Sequence, residues 1–402
     1  MPKVAVISFP GNNCEVESLE ALRRNGIESM LFRWNDDTAK LRDVDGYFVP
    51  GGFSYEDRGR AGMVAGRDRL MDFIAGEADS GKVVIGNCNG AQILIESGLV
   101  PLGGCLDMCL ARNLHSGSPA GFLSQWVWIT PTCKRDRCAV SDWEGAMHLP
   151  IAHGEGRFTT RDKDLFAELK KNDQLAFSYC NERSHVSETI DVTPNGSAFA
   201  IAGICNPAGN VIALMPHPER TKLGDRYFRS LKVWIEGHAK QLLQSASHAS
   251  RSQDFPLDRA QSSATEIFID TLIVNNEERT VESAARRVEP SLRLKQLKYV
   301  PVDGQPARYL SHVGNFNPSK EVAYIRRGSN TFRWDAKASR EEQSDVPALI
   351  GIKILRRDEP FLKKNDAGIC YVISGLDASK VASPKLLQIF ANPHASTLSL
   401  LQ

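Results

Sequence analysis

The sequence lacks several features that would assign the protein to a broad class. Its 402 residues contain no apolar run near the ~18 residues that a membrane-spanning helix needs. Neither sign of charge dominates, because 49 Lys and Arg residues oppose 48 Asp and Glu residues. A net charge of +1 argues against a general electrostatic affinity for nucleic acid. We therefore expect a protein that acts on neither membranes nor nucleic acid.

The sequence also has few marks of a secreted or metal-binding protein. Met1–Pro10 does not show the basic-then-apolar order of a signal peptide, and the nine cysteines have no framework spacing. The nearest pairs are Cys105 with Cys109 and Cys133 with Cys138, and their spacing does not match the common zinc knuckles. We expect a cytoplasmic protein with free thiols and no bound metal.

The order of apolar segments predicts the fold of residues 1–244. Short apolar strands alternate with amphipathic helices, as in Lys3–Phe9 followed by Glu15–Asn25. Further along, Met63–Ala78 is predicted to be one long helix, and Lys82–Gly86 is predicted to be a strand. Such alternation predicts an α/β fold with a mostly parallel sheet flanked by helices. Ligands of such sheets bind beyond the carboxyl ends of the strands.

The composition changes after residue 244. Residues 245–264 begin with a small, polar stretch and are predicted to be a linker. Residues 265–402 are expected to form an additional C-terminal α+β region, since Glu266–Asn275, Glu277–Arg287 and Leu292–Val300 have the strand, helix and strand order of a βαβ-like unit. A docking module, a self-association domain and a lineage-specific appendage all fit this region.

The most specific motif surrounds Cys88. A buried-looking strand ends at Gly86 and a helix is predicted to begin near Ala91, so that Cys88 lies in a turn between two glycines. Small flanking residues permit the strained turn of a nucleophile elbow, and the helix N-terminus favours a thiolate. The backbone N–H of Asn89 is then a candidate oxyanion donor. The alternative is a buried structural cysteine.

A general base for this thiol is predicted after another apolar strand. Val211–Met215 leads into His217, which has a proline on each side, and Glu219 is placed to orient the imidazole. A second histidine, His153, follows a different predicted strand. It is either part of the same site or purely structural.

Glycine-containing turns follow three of the predicted strands, at Pro10–Asn13, Pro50–Phe53 and Asn87–Gly90. Because the carboxyl ends of parallel strands meet at one edge of a sheet, these turns are expected to form one site. Gly51 and Gly52 allow backbone N–H groups to approach a ligand closely, which would supply a second oxyanion donor. An ordinary tight turn would explain the two glycines equally well.

Together these motifs resemble the class I (triad) glutamine amidotransferases, and within that class the glutaminase subunits of phosphoribosylformylglycinamidine synthase. The resemblance covers about residues 1–240 and includes the segments around Cys88 and His217. The other matching segments are Phe9–Cys14, Pro50–Tyr55, Arg60–Gly62, Leu149–Arg157 and Pro194–Ser197.

The resemblance implies a flavodoxin-like fold and a specific activity. Cys88 would attack the side-chain amide of L-glutamine, with His217 as base and then acid. Glu219 would orient His217, and Gln92 would help to hold the glutamine. The ammonia would pass to a synthetase subunit that uses ATP and magnesium in de novo purine biosynthesis, so this chain would itself bind no cofactor. A small third subunit is a further implied partner, and its fusion here as the C-terminal region is another alternative.

The sequence departs from the family pattern at a few positions. Glu56 stands where glycine is usual, Arg58 where an aromatic residue is common, and Gln125 where arginine is expected.

A stand-alone cysteine γ-glutamyl hydrolase on the same fold is the alternative function, and a non-catalytic scaffold is a third. A hydrolase needs no partner, whereas the lack of a P-loop motif fits a glutaminase that serves a separate synthetase subunit.

Overall fold

A computed structural model describes residues 1–238, 255–260, 263–363 and 366–401. The chain divides into two compact units, Met1–Gln253 and Asp254–Gln402. Among the described residues, no helix combines the length and the apolar character needed to cross a membrane. Residues 245–254 and 261–262 of the predicted linker lie outside the described residues.

Strands and helices alternate along the first unit, as the sequence predicts. Its strands are β1 Lys3–Ser8, β2 Glu28–Arg33, β3 Gly46–Val49, β4 Val83–Asn87, β5 Cys109–Arg112, β6 Leu114–His115, β7 Ser118–Pro119, β8 Leu123–Pro131, β9 Met147–His153, β10 Glu155–Thr159, β11 Phe177–Cys180, β12 Ile201–Cys205 and β13 Val211–Leu214. Its helices are α1 Glu15–Arg24, α2 Met63–Gly66, α3 Arg69–Asp79, α4 Asn89–Glu96, α5 Leu165–Lys171 and α6 Asp225–His238.

One mixed sheet organises this unit, with the strand order β2-β1-β3-β4-β13-β12-β11-β8-β9. The first five strands in this order, β2, β1, β3, β4 and β13, are parallel to one another. The remaining strands, β12, β11, β8 and β9, each pair with their neighbours in the antiparallel direction. The predicted α/β class is confirmed, and the parallel arrangement occupies the half of the sheet that carries the strand ends with the glycine turns.

Helices bury both faces of the sheet. On one face, α3 contributes Leu70 and Ile74 and α4 contributes Leu94 to a core that includes Ala5 and Val84 of the sheet. The opposite face is covered by α1 and α6 and forms a second core. Because both faces are covered, β3 and β4 are buried along their whole length, which explains their continuous apolar sequence.

The predicted helix Met63–Ala78 is two helices. The first ends at Gly66, and Asp68 has an extended backbone (φ −76°, ψ 145°). Its carboxylate accepts the backbone N–H of Leu70 at 3.0 Å and so caps the start of α3. The apolar spacing continues across the break, which hides the cap from a periodicity analysis.

The second unit is an α+β structure. Its strands are β14 Leu257–Ala260, β15 Glu266–Thr271, β16 Arg293–Pro301, β17 Glu321–Arg327, β18 Asn330–Asp335, β19 Arg340–Gln343, β20 Ile352–Asp358, β21 Gly368–Ser374 and β22 Ser396–Leu401. Its helices are α7 Asn276–Arg286, α8 Pro306–Leu310, α9 Ala378–Val381 and α10 Pro384–Phe390. The strands form one sheet with the order β14-β22-β20-β21-β16-β15-β17-β18-β19.

Two predictions for this part of the chain need correction. The strand β14 lies within the predicted linker 245–264 and pairs in parallel with β22. The segment β15-α7-β16 is not a βαβ unit, because β16 pairs with β15 in the antiparallel direction, with Glu266 opposite Pro301. The local sequence predicted the order of these elements, but it carries no signal for the direction in which two strands pair.

Candidate active site

The candidate site lies at the carboxyl ends of β1, β3, β4 and β13, which are neighbours in the sheet. Two of the glycine-containing turns are joined by backbone hydrogen bonds there. The N–H of Phe53 donates to the carbonyl of Gly11 at 2.9 Å, and the N–H of Cys14 donates to the carbonyl of Gly51 at 3.3 Å. The turns after β1 and β3 therefore form one wall beside the turn that contains Cys88.

Cys88 occupies a strained turn between β4 and α4. Its backbone has φ 53° and ψ −108°, outside the regions that non-glycine residues commonly adopt. Its N–H donates to the carbonyl of Leu214 at 2.8 Å, which ties the turn to β13. A Cβ atom at Gly90 would lie 1.9 Å from the carbonyl oxygen of Val49, so only glycine fits there. The helix begins at Asn89, directly after Cys88 and earlier than the predicted Ala91.

His217 and Glu219 form a buried pair after β13. The backbone N–H of His217 donates to the carbonyl of Pro150 at 2.9 Å. Its Nδ1 lies 2.5 Å from Oε1 of Glu219, and Oε2 of Glu219 accepts a hydrogen bond from Nδ2 of Asn87 at 3.0 Å. Asn87 is held in turn by Tyr227, whose hydroxyl donates to Oδ1 of Asn87 at 3.1 Å. The carboxylate is therefore fixed on both oxygens.

The charges of the site favour a protonated His217. Although burial lowers it, the negative charges of Cys88 and Glu219 hold the pKa of His217 well above its ordinary value. Burial raises the pKa of Glu219, but the charge and the hydrogen bond of His217 outweigh burial and lower it. An imidazolium that donates from Nδ1 to a carboxylate presents its Nε2 hydrogen in the opposite direction, as a triad acid requires.

Gly51 and Gly52 lie beside this pair. A Cβ atom at Gly51 would lie 2.6 Å from Cε1 of His217 and 3.0 Å from Sγ of Cys14. Gly52 has φ 142° and forms an isolated bridge with Asn12. The structure thus places Gly51 against His217, and Gly52 against the backbone of Asn12 and Asn13. Their role in binding an oxyanion stays a prediction.

Asn89 and Gln92 belong to a hydrogen-bonded network next to Cys88. Oδ1 of Asn89 accepts the backbone N–H of Ser54 at 2.9 Å, and Nδ2 of Asn89 donates to Oε1 of Gln92 at 2.8 Å. Nε2 of Gln92 donates to the backbone carbonyl of Glu155. Both side chains are buried and already bonded, so the predicted role of Gln92 in holding glutamine stays a prediction.

The segment after Gly52 has a left-handed backbone at Glu56, one of the departures from the family pattern. Tyr55, Glu56 and Asp57 all have positive φ values of 51°, 57° and 53°. A left-handed backbone favours glycine, which is the residue usual at position 56. Burial, together with the charge of Glu155, raises the pKa of Asp57 to about 7. This segment is therefore strained in its backbone and holds a carboxyl group that resists ionisation.

Sequence reasoning missed Cys14 and Arg220 as neighbours of the triad. A guanidinium nitrogen of Arg220 donates to Sγ of Cys14 at 2.9 Å. Ligating atoms of Cys14, His217 and Glu219 all lie within 4.8 Å of one another, as in a metal site. However, Glu219 already accepts the Nδ1 hydrogen of His217, and the positive charge of Arg220 at the thiol disfavours a cation. Cys14 lies in the matching segment Phe9–Cys14, but nothing in that pattern indicated proximity to His217.

Fold and site define a glutamine amidotransferase of the triad class. A family model described as a CobB/CobQ-like glutamine amidotransferase domain matches residues 1–241, which is more than half of the chain. This match ends at residue 241, before the second unit begins at Asp254.

Named relatives identify the branch of this class. The phosphoribosylformylglycinamidine synthase subunit PurQ of Methanothrix thermoacetophila is 41% identical over 225 residues, covering 54% of this chain and 86% of that protein. The subunit PurQ of Pyrococcus furiosus is 35% identical over 243 residues, covering 58% of this chain and 99% of that protein. A solved structure of PurLQS from Thermotoga maritima aligns with a TM-score of 0.47 and 32% identity, covering 58% of this chain and 99% of that one. The chain belongs to the PurQ family of glutamine amidotransferases.

Proposed function

We propose that this chain is the glutaminase component of phosphoribosylformylglycinamidine synthase. It hydrolyses L-glutamine at Cys88 and delivers ammonia to an ATP-dependent synthetase subunit in de novo purine biosynthesis. The observation that carries the proposal is the arrangement of Cys88, His217 and Glu219 at the strand ends of an amidotransferase fold. Membership of the PurQ family supports the choice of pathway, because the relatives carry the name of that synthase.

The first half of the reaction forms a thioester. The thiolate of Cys88 attacks the amide carbon of glutamine, and the negative charge moves to the amide oxygen. The backbone N–H of Asn89 and a donor from the Gly51–Gly52 turn stabilise that oxygen. The C–N bond then breaks with its electron pair on nitrogen, and His217 supplies from Nε2 the proton that completes neutral ammonia.

The second half releases glutamate. His217, now neutral, takes a proton from a water molecule that attacks the thioester carbon. The C–S bond breaks, the electron pair returns to Cys88, and the thiolate and imidazolium are restored. Glu219 keeps the Nδ1 hydrogen of His217 in place throughout, and Asn87 keeps Glu219 in place.

The proposal implies partners, because this chain releases ammonia and another subunit has to use it. A synthetase subunit would hold ATP and magnesium and consume the ammonia, so that this chain needs no cofactor for its own chemistry. A small third subunit is a further partner in the proposal. Coupling to the synthetase would act through Pro50–Tyr55, since two adjacent glycines let a peptide unit rotate at low cost. Glutaminase activity would then be weak until the synthetase and its nucleotide are bound.

The test uses the full chain together with the synthetase subunit, ATP, magnesium and formylglycinamide ribonucleotide, and it measures conversion of that ribonucleotide to its amidine. Cys88→Ala should abolish amidine formation from glutamine and leave amidine formation from ammonium salts unchanged. Cys133→Ala is a matched control, because this half-buried cysteine lies outside the site, and it should retain both activities. Loss of the ammonium-dependent reaction in Cys88→Ala would contradict two separate sites. Full glutamine turnover by the chain without its partner would instead favour the γ-glutamyl hydrolase.

A further inference from the structure

His153 is a buried histidine beside the triad that the mechanism above does not use. It is the last residue of β9, and only 3% of its surface is exposed. The carbonyl of the preceding residue, Ala152, lies 3.6 Å from Sγ of Cys88. The carbonyl of Pro150 on the same strand accepts the backbone N–H of His217. The end of β9 therefore contacts the side chain of Cys88 and the backbone of His217.

Hydrogen bonds to Asn113 determine which ring nitrogen of His153 carries the hydrogen. Nδ2 of Asn113 donates to the carbonyls of Gly121 at 3.0 Å and His153 at 2.8 Å. Oδ1 of Asn113 accepts the N–H of Gly156 at 3.1 Å and lies 3.2 Å from Nδ1 of His153. The opposite amide orientation would lose the three bonds to backbone groups, so Oδ1 faces the ring. An oxygen can only accept, so Nδ1 carries the hydrogen and Nε2 presents a lone pair.

Nε2 of His153 is buried and has no hydrogen-bond partner among the residues that the structure describes. A buried acceptor without a partner is costly, and such groups are typical of sites that bind a ligand or take part in catalysis. Burial and the positive charge of His217 lower the pKa of His153 to about 3, so the ring is neutral at physiological pH. The ring is also held in place, because a Cβ atom at Gly156 would lie 2.2 Å from its Cε1.

We propose that Nε2 of His153 accepts an N–H hydrogen from the carboxamide nitrogen of glutamine and, after the C–N bond breaks, from the ammonia. The inference rests on the proposed glutaminase function. His153 neither gains nor loses a proton in this scheme, since His217 supplies the proton that completes the ammonia. His153 thus determines specificity: it favours a carboxamide and disfavours a carboxylate, whose oxygen would set a lone pair against Nε2. Glutamate, the product, is rejected for the same reason.

A pair of substrates tests this role directly. L-Glutamine and the γ-methyl ester of L-glutamate both give the same thioester at Cys88, but only glutamine has N–H groups on its leaving group. In the full chain with its synthetase partner, His153→Phe should lower kcat/KM for glutamine about 10- to 100-fold. The same variant should leave kcat/KM for the ester unchanged or raise it, because the methoxy oxygen has no hydrogen to donate and sets its own lone pair against Nε2. Inhibition by glutamate should become stronger in the same variant. His148→Phe on the same strand is a matched control and should leave the ratio between the two substrates unchanged.

A second variant keeps the proposal testable if His153→Phe does not fold. His153→Gln has an amide oxygen near the position of Nε2 and should keep more of the preference for glutamine over the ester. Equal losses on both substrates, or no loss on either, would overturn the proposal and leave His153 with a structural role only. If the native chain hydrolyses neither substrate, the glutaminase function itself fails, and the inference fails with it.

Discussion

Replacing Glu219 by glutamine should separate the charge of this side chain from its shape. Both carboxylate oxygens act as acceptors, one from Nδ1 of His217 and one from Nδ2 of Asn87. Glutamine has one acceptor oxygen only, so its NH₂ group must face either Asn87 or His217. If it faces His217, Nδ1 loses its hydrogen, Nε2 becomes the protonated nitrogen of the neutral ring, and that ring cannot take a proton from water.

The expected loss is large. Removal of the orienting charge from a hydrolase triad lowers kcat by about 10,000-fold, or roughly 5 kcal/mol, and the complete burial of this pair favours a loss of that size. A second change, Asn87→Asp, should restore part of the rate. The new carboxylate would accept a hydrogen bond from the NH₂ group of the introduced glutamine, so that the amide oxygen faces His217. It would also return a negative charge to the site.

The assay is glutamate release by the full chain with its synthetase partner, for the native chain, Glu219→Gln and the double variant. Thermal melting should show that each variant is folded. A turnover of Glu219→Gln within about tenfold of the native rate would show that the reaction does not need the charge of Glu219. A folded double variant that is slower than the single variant would show that a carboxylate at position 87 does not restore the orientation of His217.

Three further predictions concern the rest of the site. His217→Ala should lower kcat about 10⁶-fold, a larger loss than that of Glu219→Gln, and equal glutaminase rates for the variant and the native chain would assign the base elsewhere. Gly52→Ala should blunt the rise in glutaminase activity on synthetase binding, because alanine is strained at the φ of 142° that this position adopts. Cys88 should still react with a small alkylating agent in this variant. An unchanged rise would exclude this turn as the coupling element. Folding raises the pKa of Asp57 from 3.8 to about 7, so the folded state binds a proton more tightly than the unfolded state does. The proton on Asp57 therefore stabilises the folded chain at low pH, and this stabilisation is lost as the pH rises from about 4 to about 7. Urea unfolding should show that Asp57→Asn is less sensitive to this rise in pH than the native chain, and an identical pH dependence would contradict the raised pKa.

The parts of the site that the sequence predicted depend on short local patterns. Cys88 was predictable because glycines on both sides of a strand-to-helix turn leave a signature within a few residues. His217 was predictable because it follows an apolar strand and has a proline on each side, and Glu219 lies two residues further on. The structure adds the strained backbone of Cys88 and the early start of α4, which are the geometric consequences of that pattern.

The parts that the sequence did not predict depend on contacts between distant segments. Asn87 precedes Cys88 in the same motif, yet its role comes from Glu219 and Tyr227, which lie more than one hundred residues away. The tautomer of His153 depends in the same way on Asn113. The antiparallel pairing of β15 with β16 was missed for a related reason, because strand direction is a property of the assembled sheet.

Covalent labelling of the full chain with a diazo-ketone analogue of glutamine tests most directly whether Cys88 is the glutaminase nucleophile. The analogue is recognised as glutamine and traps the nucleophile, so intact-mass measurement should show one label per chain, and peptide mapping should place it on Cys88. Prior incubation with glutamine should slow the labelling, and Cys88→Ala should prevent it. A label on another cysteine, or a chain with an accessible Cys88 that the analogue does not modify, would contradict Cys88 as the glutaminase nucleophile.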